Sequence, residues 1–343
     1  MQRGLPRTRA LTVAWTGAAV VLISSFVLSV FLGVYRVSAV DVVAILVSKV
    51  SGGAHTATSA AESVVWDIRL PRALAGLLTG GALSVSGAVY QGIFRNPLVS
   101  PDVLGVSTGA SLGAIAGIFL GLPVTMIQAT SFVGGIIAVA AVYAVGSALR
   151  HRDPILAFVL TGIAIGSLAG AFLSLLKILA DPYDQLPAMT YWLLGSLSGI
   201  TKQDALGILP AITLGILPLV LQRWRLNLLT LDDDEARSLG LDVTRHRTIA
   251  IVCATLMTSA AVSVSGVIGW VGLMIPHMSR MLVGPDFSRL LPMSALLGGS
   301  YLVLADLAAR SLSGREIPLG IITATMGAPF FLFLLMRSGK PEA

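Results

Sequence analysis

The chain has 343 residues, of which 55% are hydrophobic and 12% charged, and its mean hydropathy is +0.87. Soluble domains carry about 25% charged residues, and no polar stretch here is long enough to build one, so the chain reads as a polytopic membrane protein. The net charge of +6 does not imply nucleic acid, because the basic residues fall in short loops between apolar runs, where positive charge keeps a loop cytoplasmic.

Arg3, Arg7 and Arg9 precede an apolar run over 11–34. A cleaved signal has an apolar core of about 7–15 residues, whereas a spanning helix needs about 20. The run is therefore expected to be a first transmembrane helix with its N-terminal side inside. Further runs able to span follow at 73–94, 103–122, 124–149, 155–179, 205–222, 247–270, 290–309 and 317–336, and a shorter one precedes Pro285. Pro123, the RHRDP turn at 150–154 and the DPYDQLP loop at 181–187 separate several of them. The total is nine or ten spans, and ten places both termini on one side. The inner loops then receive Arg95, Arg150, Arg152, Arg223, Arg225, Arg237, Arg245, Arg247, Arg289, Arg337 and Lys340. Outer segments mix bases with acids, as in Lys177, Asp181, Asp184, Lys202 and Asp204.

Lipid provides no hydrophobic drive between helices, so small residues must let backbones approach. Three runs carry such residues every four positions: Gly76, Gly80, Ser84, Ala88 and Gly92; then Gly105, Gly109, Gly113, Gly117 and Gly121; then Gly162, Gly166 and Gly170. Spacing of four keeps residues on one helix face, so all three are expected to be packing faces. An offset of 179 residues also aligns Ser84-Val85-Ser86-Gly87 with Ser263-Val264-Ser265-Gly266, Pro97 with Pro276, Ser100 with Ser279, and Gly105 with Gly284. The two copies would enter the membrane from opposite sides, as in an inverted repeat.

An ion-coupled carrier wants a deep carboxylate or a histidine relay. Asp306 and Lys177 are the charged residues not at the end of a run, and both fall near the expected outer boundary, so energy is expected from another subunit. The chain has no G-x-x-x-x-G-K-[ST] loop to hydrolyse nucleotide. Gly105-Val106-Ser107-Thr108-Gly109 fits the G-x-S-x-G hydrolase elbow in letters, but a glycine-laddered membrane helix is not the strand–turn–helix that motif needs. His277 stands alone after Pro276, and Cys253 reads as a small apolar residue within its run. No catalytic residue, metal site or cofactor is expected.

The polar loop over 222–247 places Asp232, Asp233, Asp234 and Glu235 among otherwise basic inner loops, flanked by Leu226, Leu228, Leu229, Leu231, Leu239 and Leu241. A solvated acidic turn does not explain the leucines; two short amphipathic helices docking a soluble partner do. On the outer side, Arg69 and Arg72 share a face at a helix start, and Arg310 ends another helix before Arg315-Glu316. Helix starts favour acids. These arginines are either snorkelling side chains or a positive cluster awaiting acidic groups of a partner.

The segments LPRALAGLLTGGALSVSGAVYQGIFRNPLVSPDVLGVSTGAS, GVIGWVGLMIPHMSRMLVGPDFSRLLP and ADLAARSLSGREIPLGIITATMGAPFFLFLL resemble the FecCD family of ABC-importer permeases, over about residues 34–336. The resemblance implies an all-α, BtuC-like type II permease of about ten transmembrane helices, forming one domain over 1–343 in a bacterial inner membrane. It implies a second permease subunit, cytoplasmic ATP-binding cassette ATPases and an external or periplasmic substrate-binding protein as partners. It further implies that Leu231, Asp232, Asp233, Glu235, Ala236, Leu239 and Gly240 couple to the ATPase, that Arg69, Arg72 and Arg310 dock the binding protein, and that Asn96 and Leu98 narrow the inner end of the pathway. SPDVLG after NPLV resembles iron–siderophore members, so a ferric siderophore is the expected cargo, with haem or vitamin B12 as alternatives and an ion-coupled carrier as a competing class.

Overall fold

The computed structural model describes residues 7–53, 56–148 and 154–338. Arg3, Arg150, Arg152 and Lys340 of the topology argument lie outside them. The chain begins with α1 (Arg7–Phe31), α2 (Ala39–Ser51) and α3 (Ser59–Ser63), and α3 continues through a π-helical turn (Val64–Arg69) into α4 (Leu70–Ile93). A 3-10 turn (Pro101–Leu104) leads to α5 (Val106–Phe119), α6 (Val124–Ala148) and α7 (Pro154–Leu179). Five shorter helices follow: α8 (Gln185–Leu193), α9 (Lys202–Gly207), α10 (Leu209–Leu221), α11 (Arg223–Leu228) and α12 (Asp233–Ser238). The last elements are α13 (Val243–Ser265), α14 (Val271–Val283), α15 (Phe287–Ser311) and α16 (Leu319–Ser338).

Among the described residues seven helices are long and apolar enough to cross a membrane, and three shorter apolar helices accompany them at Val106–Phe119, Val271–Val283 and Leu319–Phe333. Each expected run is met by a helix, but two differ in extent. The run over 103–122 is a 14-residue helix, about 21 Å long at 1.5 Å per residue, too short for a hydrocarbon core of about 30 Å. The run over 247–270 stops at Ser265, where Gly266 turns at φ 66°, and α14 restarts five residues later. Both α5 and α14 begin at mid-depth. A Cβ added to Gly272 would meet the Leu83 carbonyl at 3.1 Å and Pro101 Cδ at 3.2 Å, and Leu83 is near the middle of α4. Hydropathy does not separate a half-length helix plus its apolar approach from a full span. Nor does it announce α2, which is amphipathic, capped by Ser38 and ended by Gly52, and far below spanning length.

Helix α4 is the centre of the bundle, packed along α15, α13 and α14, with Ala75, Val85, Ala88, Val89 and Tyr90 fully buried. Its ladder meets α15: a Cβ on Gly80 would fall 2.2 Å from the Gly298 carbonyl, and one on Gly92 2.5 Å from the Phe287 ring. The tightest approach lies off that ladder, at Gly87, where a Cβ would sit 1.9 Å from the Gly272 carbonyl. The α5 ladder meets α6, with Gly109 against Gly134 and Gly113 against the Thr130 carbonyl. The third ladder is used unevenly. Gly162 lies against the Val103 carbonyl, but a Cβ on Gly166 would meet nothing closer than 4.0 Å and one on Gly170 nothing at all, because beyond Gly162 α7 meets α5 through larger side chains such as Leu173 and Leu176. The repeat offset pairs the middle of α4 with the end of α13. The two helices run antiparallel, since Arg95 after α4 and Arg247 at the start of α13 reach the same carboxylate of Asp233.

Candidate functional site

Outer end: a buried ion cluster. The N-terminal end of α4 gathers three arginines and two acids. Arg69 donates to the carbonyls of Val30 (3.0 Å), Phe31 (2.9 Å) and Tyr35, and Arg310 donates to Leu32 O (2.9 Å), Ser29 O and Ser29 Oγ (2.9 Å). The last carbonyls of a helix have no intrahelical partner and carry its negative dipole end, so two guanidiniums close the C-terminus of α1. Gly33 makes room for them: a Cβ there would lie 2.9 Å from Arg69 Nη2 and 3.0 Å from Arg310 Nη1. Arg72 donates from Nε to Asp306 Oδ1 at 2.6 Å and forks its other nitrogens onto Glu316. Asp306 is 1% exposed and also faces Arg310 Nε at 3.4 Å. Arg69, Arg72 and Arg310, expected to meet an external partner, are thus engaged within their own chain. Arg69 and Arg72 are 3% and 5% exposed, and all three are occupied by carbonyls and carboxylates of their own chain. The sequence signal lay in the acids: Asp306 and Arg310 are one helical turn apart, and a buried charge requires a partner.

Half-depth: a small polar cavity. Where α5 and α14 begin, a cavity of about 270 Å³ is walled by Leu83, Leu98, Pro101, Asp102, Thr258 and Trp270, among others. Asp102 accepts from Ser107 Oγ, and Ser100 Oγ donates to its other oxygen at 3.2 Å. Sequence reading placed Asp102 at the end of a spanning run; the structure brings it to the level of Leu83. The Gly105 turn at φ 73° and the Pro101 start of the 3-10 turn are the marks in the sequence of that half-depth return.

Inner end: a tied loop. The expected two short helices of the 222–247 loop are α11 and α12. Of the flanking leucines, Leu226, Leu229 and Leu241 are buried in the chain's own core and Leu239 is exposed, so most of them serve the permease fold. Asn227 fastens α11 to α15: its Nδ2 donates to Asp286 Oδ1 at 2.9 Å, and its Oδ1 accepts from the Phe287 amide at 2.8 Å. That bond holds the Asp286 carboxyl below its ordinary range. At the start of α12, Asp232 and Asp233 are bound by Arg95, and Asp233 also receives both Nη atoms of Arg247, at 2.7 and 3.1 Å. The Arg247 hydrogen bonds push the Asp233 pKa down, with the Arg95 charge adding to them. Among the expected coupling residues, Asp233 and Ala236 therefore face inward, Ala236 at 1% exposure. Asp232, Glu235, Leu239 and Gly240 face outward, and Leu231 is half-buried. Asn96 and Leu98 follow Arg95 as exposed residues, and Asn96 Oδ1 accepts from the Leu98 amide at 2.9 Å. Among the described residues no group of three or more His, Cys, Asp or Glu is placed to hold a metal ion.

This arrangement has close relatives. Residues 21–337 match the FecCD transport family. A cobalamin import system permease protein of Halobacterium salinarum is 44% identical over 80% of this chain and 74% of its own length. A probable iron chelatin transport system permease of Helicobacter pylori is 41% identical over 82% and 84%, and a molybdate import system permease of Haemophilus influenzae is 37% identical over 95% and 97%. A solved structure assigned to the metal-chelate type of ABC transporter, in an inward-facing conformation, superposes with a TM-score of 0.84 at 35% identity, covering 94% of this chain and 98% of its own. A family match over most of the chain, with full-length agreement of the fold, decides the class: the chain belongs to the FecCD transport family, as a multi-pass membrane permease of an ABC importer.

Proposed function

We propose that residues 1–343 act as one permease domain that passes a ferric siderophore inward, beside a second permease subunit, driven by cytoplasmic ATPases and supplied by an external binding protein. The α11–α12 loop carries this reading. A loop that merely joined two spans would need no ties, yet this one is fastened to the end of α4, to α13 and to the start of α15, while Asp234 and Glu235 on α12 and Leu239 just after it remain outward. That face is the ATPase dock, and Asn96 with Leu98 forms the inner constriction.

Charge narrows the cargo. Asp102 sets a carboxylate at mid-depth beside Leu98. Its negative charge opposes an oxyanion or a haem propionate. A neutral or cationic iron chelate passes it. SPDVLG agrees, as do an iron chelatin relative and a metal-chelate structural neighbour. Cobalamin is the second reading, because the Halobacterium salinarum relative is described as a cobalamin permease. The test is uptake by vesicles holding the permease, its ATPase and its binding protein, with a radiolabelled ferric hydroxamate, cobalamin and molybdate compared in parallel. ATP-dependent accumulation of the iron chelate alone is expected. Accumulation of cobalamin or molybdate without the iron chelate refutes the assignment.

A further inference from the structure

The ion cluster at the inner end has a geometry that docking alone does not require. Arg95 is one of two non-glycine residues with positive φ among the described residues, at 50°, a region that side chains other than glycine adopt rarely. The turn stops α4, with the Arg95 amide bonded to Gly92 O at 3.2 Å, and swings the guanidinium off the helix toward α12. There it grips Asp232 with Nη1 and Asp233 with Nη2, the latter at 2.8 Å. The next residues in the chain are Asn96, Pro97 and Leu98.

The two grips on Asp233 are unequal. Arg247, near the start of α13, is nearly buried and holds both carboxylate oxygens. Arg95 is more open, and its Asp232 partner is almost fully in solvent, where an ion pair is weak and exchangeable. Arg247 is thus a fixed pivot for the start of α12, and Arg95 is a link that can let go without unfolding the loop. Among the described residues, the hydrogen bonds and ion pairs joining 229–240 to the end of α4 are those of Arg95. Any displacement of the first turn of α12 therefore acts on the residue that adjoins the constriction.

We propose that Arg95 is a positioning residue of transport, the link through which movement of α12 reaches the Asn96 and Leu98 constriction. The proposal rests on the reading of α12 as the ATPase dock and of Asn96 and Leu98 as the inner constriction. It gives the acids of the loop a role: Asp233 faces the permease between Arg247 and Arg95, and Asp232, although exposed, lends Arg95 a second carboxylate.

The experiment uses the complete importer in nanodiscs, with Cys253→Ser removing the sole cysteine and Leu98→Cys as reporter. The rate of maleimide labelling is compared between ADP and trapped ATP. With Arg95 intact, nucleotide is expected to change the rate at least about fivefold, the lower range of an allosteric coupling. Arg95→Glu, which repels Asp232 and Asp233, should collapse the difference while the ATPase still co-purifies. Adding Asp232→Arg should restore it, a recovery that a merely structural lesion would not show. Should Arg95→Glu fail to fold, Arg95→Gln removes the charge more gently and is expected to give the same collapse. A full nucleotide effect in Arg95→Glu or Arg95→Gln, or no recovery in the double variant, overturns the link. The reading beneath it fails separately: no nucleotide effect with Arg95 intact removes the constriction, and normal ATPase co-purification after Leu239→Asp removes the dock.

Discussion

Replacing Asp306 by alanine should destabilise the outer end of the bundle more than any other single charge removal. The side chain is 1% exposed, bonded to Arg72 Nε at 2.6 Å and 3.4 Å from Arg310 Nε. With Arg69, Arg72 and Arg310 set against Asp306 and Glu316, the local balance is three positive charges to two negative, and the variant leaves three to one. Removing one partner of a buried pair costs about 3–5 kcal/mol. Glu316 still forks onto Arg72 and reaches solvent, so the loss should fall near about 3 kcal/mol, or roughly two decades in the unfolding equilibrium. Asp306→Asn keeps an acceptor for Arg72 and should lose about half as much. Arg72→Met with Asp306→Leu removes both buried charges, and such replacements are often neutral. The double variant should therefore be more stable than Asp306→Ala, with a coupling of at least about 2 kcal/mol. Unfolding in mixed micelles titrated with dodecyl sulfate, followed by far-ultraviolet circular dichroism, measures all four corners. Asp306→Ala within about 0.5 kcal/mol of the parent, a change typical of unremarkable surface sites, or strict additivity in the cycle, refutes the argument.

The close contacts give a graded series. Gly87→Ala and Gly80→Ala place a Cβ 1.9 and 2.2 Å from backbone carbonyls of α14 and α15, whereas Gly170→Ala meets nothing within 4 Å. The first two should cost at least about 1–3 kcal/mol, as overpacking does, and lower the yield of folded protein in size-exclusion chromatography; the third should not. The α12 anchorage should depend on pH. The folded Asp233 pKa lies below the ordinary 3.8 of an aspartate, so its contribution is present above that value and is lost as pH falls through the depressed folded value. Amide exchange over 232–240 should stay slow at neutral pH and quicken only in acid below about pH 4; protection unchanged into stronger acid would count against the anchor. Asn227→Ala breaks both bonds to the start of α15 and should cost about 1–2 kcal/mol, as loss of a helix cap does, with raised exchange at the Phe287 amide as its signature.

Apolar length and charge placement, read from the sequence, determined the membrane class, the order of the spans and the short helices of the inner loop. These are local properties: about 20 apolar residues need a bilayer, and no distant contact changes that. Glycine spacing likewise placed the α4 and α5 faces, yet it gave the same weight to Gly170, because spacing is a property of one helix and packing belongs to two. Arg69, Arg72 and Arg310 show the larger gap. Their positions at helix ends were legible, but whether such a charge looks outward or inward depends on what the fold sets beside it, and Asp306 and Glu316 lie more than 230 residues from Arg72. Asp102 at mid-depth, Arg95 on Asp233 and the closure of α1 by two guanidiniums are likewise juxtapositions of distant segments. Hydropathy determined that the chain lives in a membrane; only tertiary structure decided where its few charges go, because a buried charge takes its meaning from a partner the local sequence does not contain.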